Sequence, residues 1–341
     1  MTPAGVFVSL LALQLLNWQT KSVAAGITME ISEGDGATVV KDHRGRHRGF
    51  FYFHTFWCRE GDELNSKVMA GFKSLLNTQR RPHLIVWTLP SCLQSILRQT
   101  VSLTSFCPSN IALFEVRSTD DLIPILSNST DPHIRSCSAT LAHVARNKNM
   151  VAFSDLLRFI ALYSFGGIYF DADTFFLRDM SFFRDKAFAF KWDTITTEGA
   201  KIGFNTAIMG LPKFSPTVSK VIKNGGVCIP DVFHPARIKD AAGCNALVCE
   251  EIIMMPTYFF DSQQTNSEGL RYNIYSWLKE DTNYFFSMEK RCSLANFVPG
   301  AYAFHWHNRW DAPIHENSFF AELRDKHLSC NKSQLGDSKG Y

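Results

Sequence analysis

The stretch from Ser154 to Asp179, SDLLRFIALYSFGGIYFDADTFFLRD, constrains this chain more than any other. Leu156, Leu157, Ile160 and Ala161 recur at helical intervals, so the spacing predicts a helix with one apolar face. Ser154 and Asp155 suit its start, where short oxygen-bearing side chains take up free N–H groups, and Gly166 suits the left-handed residue that ends it. Gly167-Ile168-Tyr169-Phe170 has strand character, and Asp171-Ala172-Asp173 stands where that strand leaves the sheet. Side chains alternate along a strand, so Asp171 and Asp173 are expected to point the same way. Two hard anionic oxygen ligands on one side can hold Mg²⁺ or Mn²⁺, with phosphate oxygens completing the shell.

Taken alone, neither half of this pattern carries much. The chain has 19 Asp, so roughly one Asp-x-Asp arises by chance. Asp155 and Arg158, three apart on a helix, read by themselves as a surface ion pair. The whole run is far more specific. Ser154, Asp155 and Arg158 followed by Gly166, Gly167, Tyr169, Asp171 and Asp173 spell Ser-Asp-x-x-Arg and then Gly-Gly-x-Tyr-x-Asp-x-Asp. This resembles the DXD-motif nucleotide-sugar glycosyltransferases, which include lactosylceramide α-1,4-galactosyltransferases, α-1,4-N-acetylglucosaminyltransferases and yeast initiating α-1,6-mannosyltransferases. Clostridial glucosylating toxins share the pattern more distantly.

The resemblance implies a GT-A-like single α/β domain, with a mixed, Rossmann-like central sheet flanked by helices. It implies a metal-dependent, retaining transfer of a hexose from a nucleotide-diphosphate sugar to a glycan or glycolipid acceptor, with α linkage. Asp171, Asp173 and Arg158 are then the catalytic candidates, and Asp155, Arg158, Tyr169 and Asp171 donor-binding ones. Asp173, Asp171 and His305 are the candidates for holding Mn²⁺ or Mg²⁺. No residue stands out as a nucleophile, which favours same-face displacement over a covalent intermediate.

The rest of the chain fits an open α/β sheet. Strands are predicted over Phe50–Trp57, His83–Leu89 and Ile111–Val116, with helices over Leu64–Thr78 and Ser91–Thr100 between them. Ligands of such sheets sit beyond the carboxyl ends of the strands, which places His54, Thr55 and Trp57 at the rim of a nucleotide site. FHTFW is also similar to the His-x-x-Trp of the mannosyltransferase branch, making Thr55 and Trp57 candidates to line the base pocket; ordinary core packing is the competing reading for Trp57. Ala187–Trp192 and Phe204–Met209 read as strands, and TITTEGAKIG between them as a loop over the donor. Asn205 matches an Asn-bearing strand that faces the sugar in the family; it also reads as an Asn that merely satisfies nearby backbone. Ala301–Asn308, AYAFHWHN, is similar to the Tyr-Ala-x-His-x-Trp-Asn of the α-1,4-galactosyltransferases, with His307 where the relatives have Trp. That match brings His305 toward the metal or diphosphate, with His307 as its alternation partner if the segment is a strand. Asn224–Cys249 departs from the relatives' acceptor-side Gly-Pro…Leu-Thr segment, so the acceptor is left open.

A length of 341 with 45% hydrophobic residues, including 29 Phe, can build a substantial Phe-packed core. A net charge of +3 is too mild to argue for nucleic acid. Residues 1–25 read as a signal peptide or signal anchor, with an apolar run Ala4–Trp18 short of a bilayer span and Val23-Ala24-Ala25 suited to cleavage. The family implies a Golgi type II anchor, while the residues lean toward a cleaved signal; both place the chain in the secretory pathway, anchored in the Golgi lumen or cleaved and lumenal or secreted. The sequons Asn128-Ser129-Thr130 and Asn331-Lys332-Ser333 agree. Residues 26–48 read as a stem, 49–326 as the transferase domain and 327–341 as a polar tail. The nine cysteines (Cys58, Cys92, Cys107, Cys137, Cys228, Cys244, Cys249, Cys292, Cys330) lack zinc-site spacing and allow up to four disulfides of open connectivity.

UDP-galactose and UDP-N-acetylglucosamine fit the carboxy-terminal match as donors, and FHTFW keeps GDP-mannose open. Two other classes compete. FDADT is similar to the first motif of haloacid-dehalogenase-type phosphatases, but the Thr or Val expected four residues after the first Asp is Phe175 here, with Thr174 one place early. A carbohydrate-binding relative that has lost turnover is the non-enzymatic alternative.

Overall fold

The computed structural model describes residues 49–58, 64–104, 113–146, 149–196, 199–226, 228, 238, 240–243, 251–261, 284–287, 300–308 and 310–328. The expectations for residues 1–48, for 329–341, for the Asn331 sequon and for most of 224–249 lie outside these. No described helix is long and apolar enough to cross a membrane.

The described chain from Phe51 onward opens as alternating strand and helix: β1 (Phe51–Phe56), α1 (Ser66–Thr78), β2 (Pro82–Thr88), α2 (Pro90–Thr104) and β3 (Leu113–Ser118). After α3 (Leu122–Ser127), α4 (Pro132–Arg146) and α5 (Met150–Phe165) come β4 (Gly167–Phe170) and the short β5 (Thr174–Phe176). Then follow β6 (Phe188–Thr196), β7 (Gly199–Leu211), α6 (Pro216–Gly225), β8 (Ile253–Met255), α7 (Tyr284–Ser287), β9 (Ala303–His305) and α8 (Phe319–Leu328). Seven strands form one sheet in the order β3-β2-β1-β4-β7-β6-β8, and β5 pairs with β9 in a second. β3, β2, β1 and β4 run parallel, whereas β7 is antiparallel to both β4 and β6. This is the mixed α/β sheet flanked by helices that was expected.

Alternation along the strands assigns the two faces. Phe53, Leu84, Val86, Ile168 and Phe170 pack with α1 and α2, while Ile85, Trp87 and Tyr169 pack with α4, α5 and α6. A third cluster, built from Phe175, Phe285, Phe304, Trp306 and Phe320, lies around the β5–β9 ladder. At its described residues, 194–196 and 199–203, the loop expected over TITTEGAKIG is instead part of both strands: β6 and β7 pair from Phe190↔Asn205 out to Thr196↔Gly199. Lengthening the strands satisfies backbone groups that a loop would leave to water.

Helix α5 begins a turn before the expected Ser154. Asn149 is its N-cap and accepts from the Ala152 N–H at 3.2 Å, another short oxygen-bearing side chain that competes with Ser154 and Asp155 for that role. The helix ends at Gly166, as expected, with φ +71°. Gly167 follows at φ +100°, and a Cβ there would lie 2.4 Å from the Tyr52 carbonyl oxygen. Glycine is therefore required for β4 to enter beside β1.

His54 is not at a ligand rim. It is fully buried in β1, where its Nδ1 accepts the Trp87 indole N–H at 3.2 Å, so Nε2 carries the hydrogen and donates to the Gly166 carbonyl at 2.9 Å. Burial lowers its pKa to about 3. A folded pKa below the unfolded one means that this contribution to stability is complete above about pH 6.5 and is lost as pH falls toward 3, because the unfolded chain then takes up the proton alone. Between pH 7.5 and 5 the loss is about 2 kcal/mol. His54→Gln, whose amide can accept and donate the same two bonds, is expected to remove that increment; urea unfolding of both proteins across this range measures it.

Candidate active site

Helix α5, the ends of β1 and β4 and the turn after β9 converge on a cleft of about 490 Å³. Ser154, Arg158, Asp171 and Asp173 line its polar side, and Trp57, Met150, Val151 and Trp310 its apolar side. With the helix starting at Met150, Ser154 is a helical residue and not a cap, and it lies one turn before Arg158 on the same face.

Arg158 is the hub. Its side chain is only 6% exposed, so the i,i+3 pair with Asp155 is more than a solvated surface contact. Nη2 lies 2.8 Å from Asp155 Oδ1 and 3.2 Å from Asp171 Oδ1, and Nη1 donates to Thr206 Oγ1 at 2.7 Å. Beneath it lies the Tyr169 ring, 5.0 Å from the guanidinium carbon, with its hydroxyl 2.8 Å from Ser154 Oγ. Tyr169 is thus buried support for Arg158 and Ser154 and is not part of the cleft wall.

The Asp-x-Asp segment is held by backbone at both ends. The Asp171 N–H donates to the Ala207 carbonyl at 2.7 Å, and the Trp306 N–H to the Asp173 carbonyl at 3.0 Å. Both aspartates lie beyond the last residue of β4, so their common direction comes from these anchors and not from strand alternation. Asn205 contributes indirectly. It stands where β7 bulges between its pairings with β6 and β4, and its Oδ1 accepts the Ala207 N–H at 2.7 Å. It does not line the cleft; the competing reading, an Asn that satisfies nearby backbone, describes its observed bond.

Register across β5–β9 sets Thr174 opposite His305 and brings the imidazole to Asp173, with Nε2 3.2 Å from Oδ1. The chain then turns through His307 and Asn308, at φ +49° and +58°, so that the Asn308 N–H donates to Asp173 Oδ2 at 2.7 Å. Two consecutive non-glycine residues with positive φ mark a locally strained turn beside a polar site. His307 is therefore outside the strand, yet the turn returns its ring to within 4.2 Å of that of His305.

These contacts set the electrostatics. Burial and the neighbouring Asp173 push the Asp171 carboxyl upward against the pull of Arg158. Burial acts the same way on Asp173, but His305 and the Asn308 N–H outweigh it and hold Asp173 below the usual carboxylate range. For His305, burial disfavours the cation, but Asp173 and Asp261 overcome it and raise the imidazole well above its ordinary value. Asp171, Asp173 and His305 each offer a ligand atom, all within 4.8 Å of one another. Two carboxylates and one imidazole are a fitting donor set for a divalent cation of the Mn²⁺ or Mg²⁺ type.

Residues 66–195 match the family model described as "Glycosyltransferase sugar-binding region containing DXD motif". This is a glycosyltransferase region. It contains the Asp171–Asp173 pair and Arg158, while His305 joins from beyond it. No curated protein matches the chain. Among solved structures it is similar to GlyE of Streptococcus pneumoniae TIGR4, at 11% identity over 84% of this chain and 62% of that chain, with a TM-score of 0.45. Mouse xyloside xylosyltransferase 1 is similar at 11% identity over 78% and 99%, with a TM-score of 0.43. The PaToxG glycosyltransferase is similar at 16% identity over 57% and 70%, with a TM-score of 0.41.

Around this cleft, Trp57 lines the wall and meets Trp310 edge-on at 5.1 Å, whereas Thr55 is wholly buried and off the wall. Thr206, Asn308, Trp310, Asp261 and the ordering role of Ser154 were not foreseen. Thr206 adjoins Asn205 and faces the opposite way, so alternation alone would have raised it. Asp261 is joined to His305 only by folding, and no local signal points to it. Phe175, the residue that spoils the phosphatase pattern, is buried in the third core cluster.

Proposed function

We propose that the chain is a divalent-cation-dependent, retaining glycosyltransferase that moves a hexose from a nucleotide-diphosphate sugar to a glycan or glycolipid acceptor with α linkage. The observation that carries this is the convergence of Asp171 and Asp173, which line an open cleft beside Arg158, with His305 buried against Asp173 and off the cleft wall. A cation held by those three residues would act as a Lewis acid, offsetting the negative charge that builds on the departing diphosphate. Asp155 and Arg158 orient sugar hydroxyls from one side. Trp57 and Trp310 offer flat apolar surfaces on the other, suited to a base or sugar ring. Among the described residues that line the cleft, the carboxylates are Asp171 and Asp173; no further carboxylate stands ready as a nucleophile, which favours same-face displacement. The similarity of AYAFHWHN to the galactosyltransferase segment favours UDP-galactose or UDP-N-acetylglucosamine as donor.

A Golgi-lumenal setting, reached through an amino-terminal signal or anchor, is part of the same proposal. It is supported by the disulfides Cys58–Cys92 and Cys137–Cys228 and by the exposed Asn128 of the first sequon. A thermal-shift panel of UDP-galactose, UDP-N-acetylglucosamine and GDP-mannose, with and without Mn²⁺, tests the reading. One donor is expected to raise the melting temperature only with Mn²⁺, since a ligand of the native state stabilises it. No shift with any of them, together with no transfer, would count against it.

A further inference from the structure

We infer that Asp261, steadied by His307, is the residue that orients His305 toward the cation site; this rests on reading Asp171, Asp173 and His305 as that site. Asp261 follows the single turn Thr257–Phe259 after β8, and its carboxylate is completely buried. Backbone bonds fix it there. The Asp261 N–H donates to the Thr257 carbonyl at 2.8 Å, the Tyr302 N–H to Phe259 at 2.8 Å, and the His305 N–H to Phe260 at 3.1 Å. The turn is thereby laced along β9 with the carboxylate against the two histidines.

His305 consequently stands between two carboxylates. Its Nε2 lies 3.2 Å from Asp173 Oδ1, on the cleft side, and its Nδ1 lies 3.7 Å from Asp261 Oδ2, on the interior side. His307 Nε2 reaches that same Oδ2 at 2.8 Å. Burying a carboxylate is costly unless charge and hydrogen bonds compensate it. At 3.7 Å the Nδ1–Asp261 contact is an electrostatic one, longer than a hydrogen bond; with a cation on Nε2 the ring's one hydrogen must sit on Nδ1, facing a carboxylate that only accepts. Without Asp261 the hydrogen can occupy either nitrogen and the ring loses its inner anchor. Support of this kind behind a metal-ligating histidine is worth about 10- to 100-fold in metal affinity. His307 holds Asp261 in turn and is carried by the positive-φ turn at His307–Asn308.

The test is binding of Mn²⁺ to the purified full-length chain without donor, read by the electron paramagnetic resonance of free Mn²⁺. Asp261→Asn is expected to weaken binding by about 10- to 100-fold with an unchanged circular dichroism spectrum, and His307→Asn by a smaller factor. Asn is chosen at 307 because it tolerates positive φ, so this variant reports on the inference even if Asp261→Asn fails to fold. Asp173→Asn serves as the control. Wild-type affinity in both dyad variants, with Asp173→Asn defective, overturns this inference alone. Failure of the wild type to bind Mn²⁺ overturns it together with the cation site. A third result is also decisive: Asp261, His305 and His307 themselves offer ligand atoms within 4.8 Å. Should the dyad variants lose an equivalent of bound Zn²⁺ while keeping Mn²⁺, the pair is a separate metal site and the orienting role is overturned.

Discussion

Asp173→Asn is expected to lower metal-dependent sugar transfer by about three orders of magnitude, the equivalent of about 4 kcal/mol of transition-state stabilisation. The substitution preserves shape and an acceptor oxygen for the Asn308 N–H at 2.7 Å, so it removes charge without opening a hole. What it takes away is the one carboxylate among the described residues that lies in the cleft, beside His305 and within ligand reach of Asp171 at once. Initial rates with a labelled nucleotide sugar, over a range of Mn²⁺ concentrations, give the loss; thermal unfolding shows that the fold persists. Wild-type turnover in this variant would remove the basis for placing a cation there.

Arg158→Met should damage both stability and donor binding. The guanidinium compensates Asp155 and Asp171 and donates to Thr206, so its removal leaves two carboxylates and a hydroxyl to rearrange around an apolar chain. Breaking a buried pair by deleting one partner costs about 3–5 kcal/mol; here about 2–3 kcal/mol is expected, since Asp155 and Asp171 still reach water. Arg158→Lys separates the two effects. An ammonium keeps the charge but cannot span Thr206, Asp155 and Asp171 simultaneously, because it lacks the planar fork. Lys at this position should therefore recover much of the stability measured in urea while the donor-induced thermal shift stays weak. Equal donor shifts for Lys and the native Arg would show that only charge matters here.

Legibility in the sequence followed the range of the interactions. β1, β2 and the end of α5 were placed within a residue or two, because apolar periodicity, the glycine pair and turn residues act over a few positions. The start of α5 was misplaced because Asn149 and Ser154 are both competent caps, and which one serves depends on what the preceding turn packs against. His54 was assigned to a ligand rim on its position near a strand end. Whether a strand-end residue faces the cleft or the core depends on its neighbours, and Trp87 and Gly166 claim both nitrogens of this one.

The residues alone determined that a carboxylate pair would leave a parallel strand after a glycine break, and that Arg158 would lie near it. Those facts follow from local spacing and from conformations open only to glycine. Tertiary structure decided the rest: that Arg158 is buried, that Thr206 and not Asn205 reaches it, and that His305 arrives across β5–β9 with Asp261 behind it. The physical reason is sequence distance. Asp173 and His305 are brought together by strand pairing and by a strained turn; local spacing carries no sign of either, and only the resemblance of AYAFHWHN points to His305.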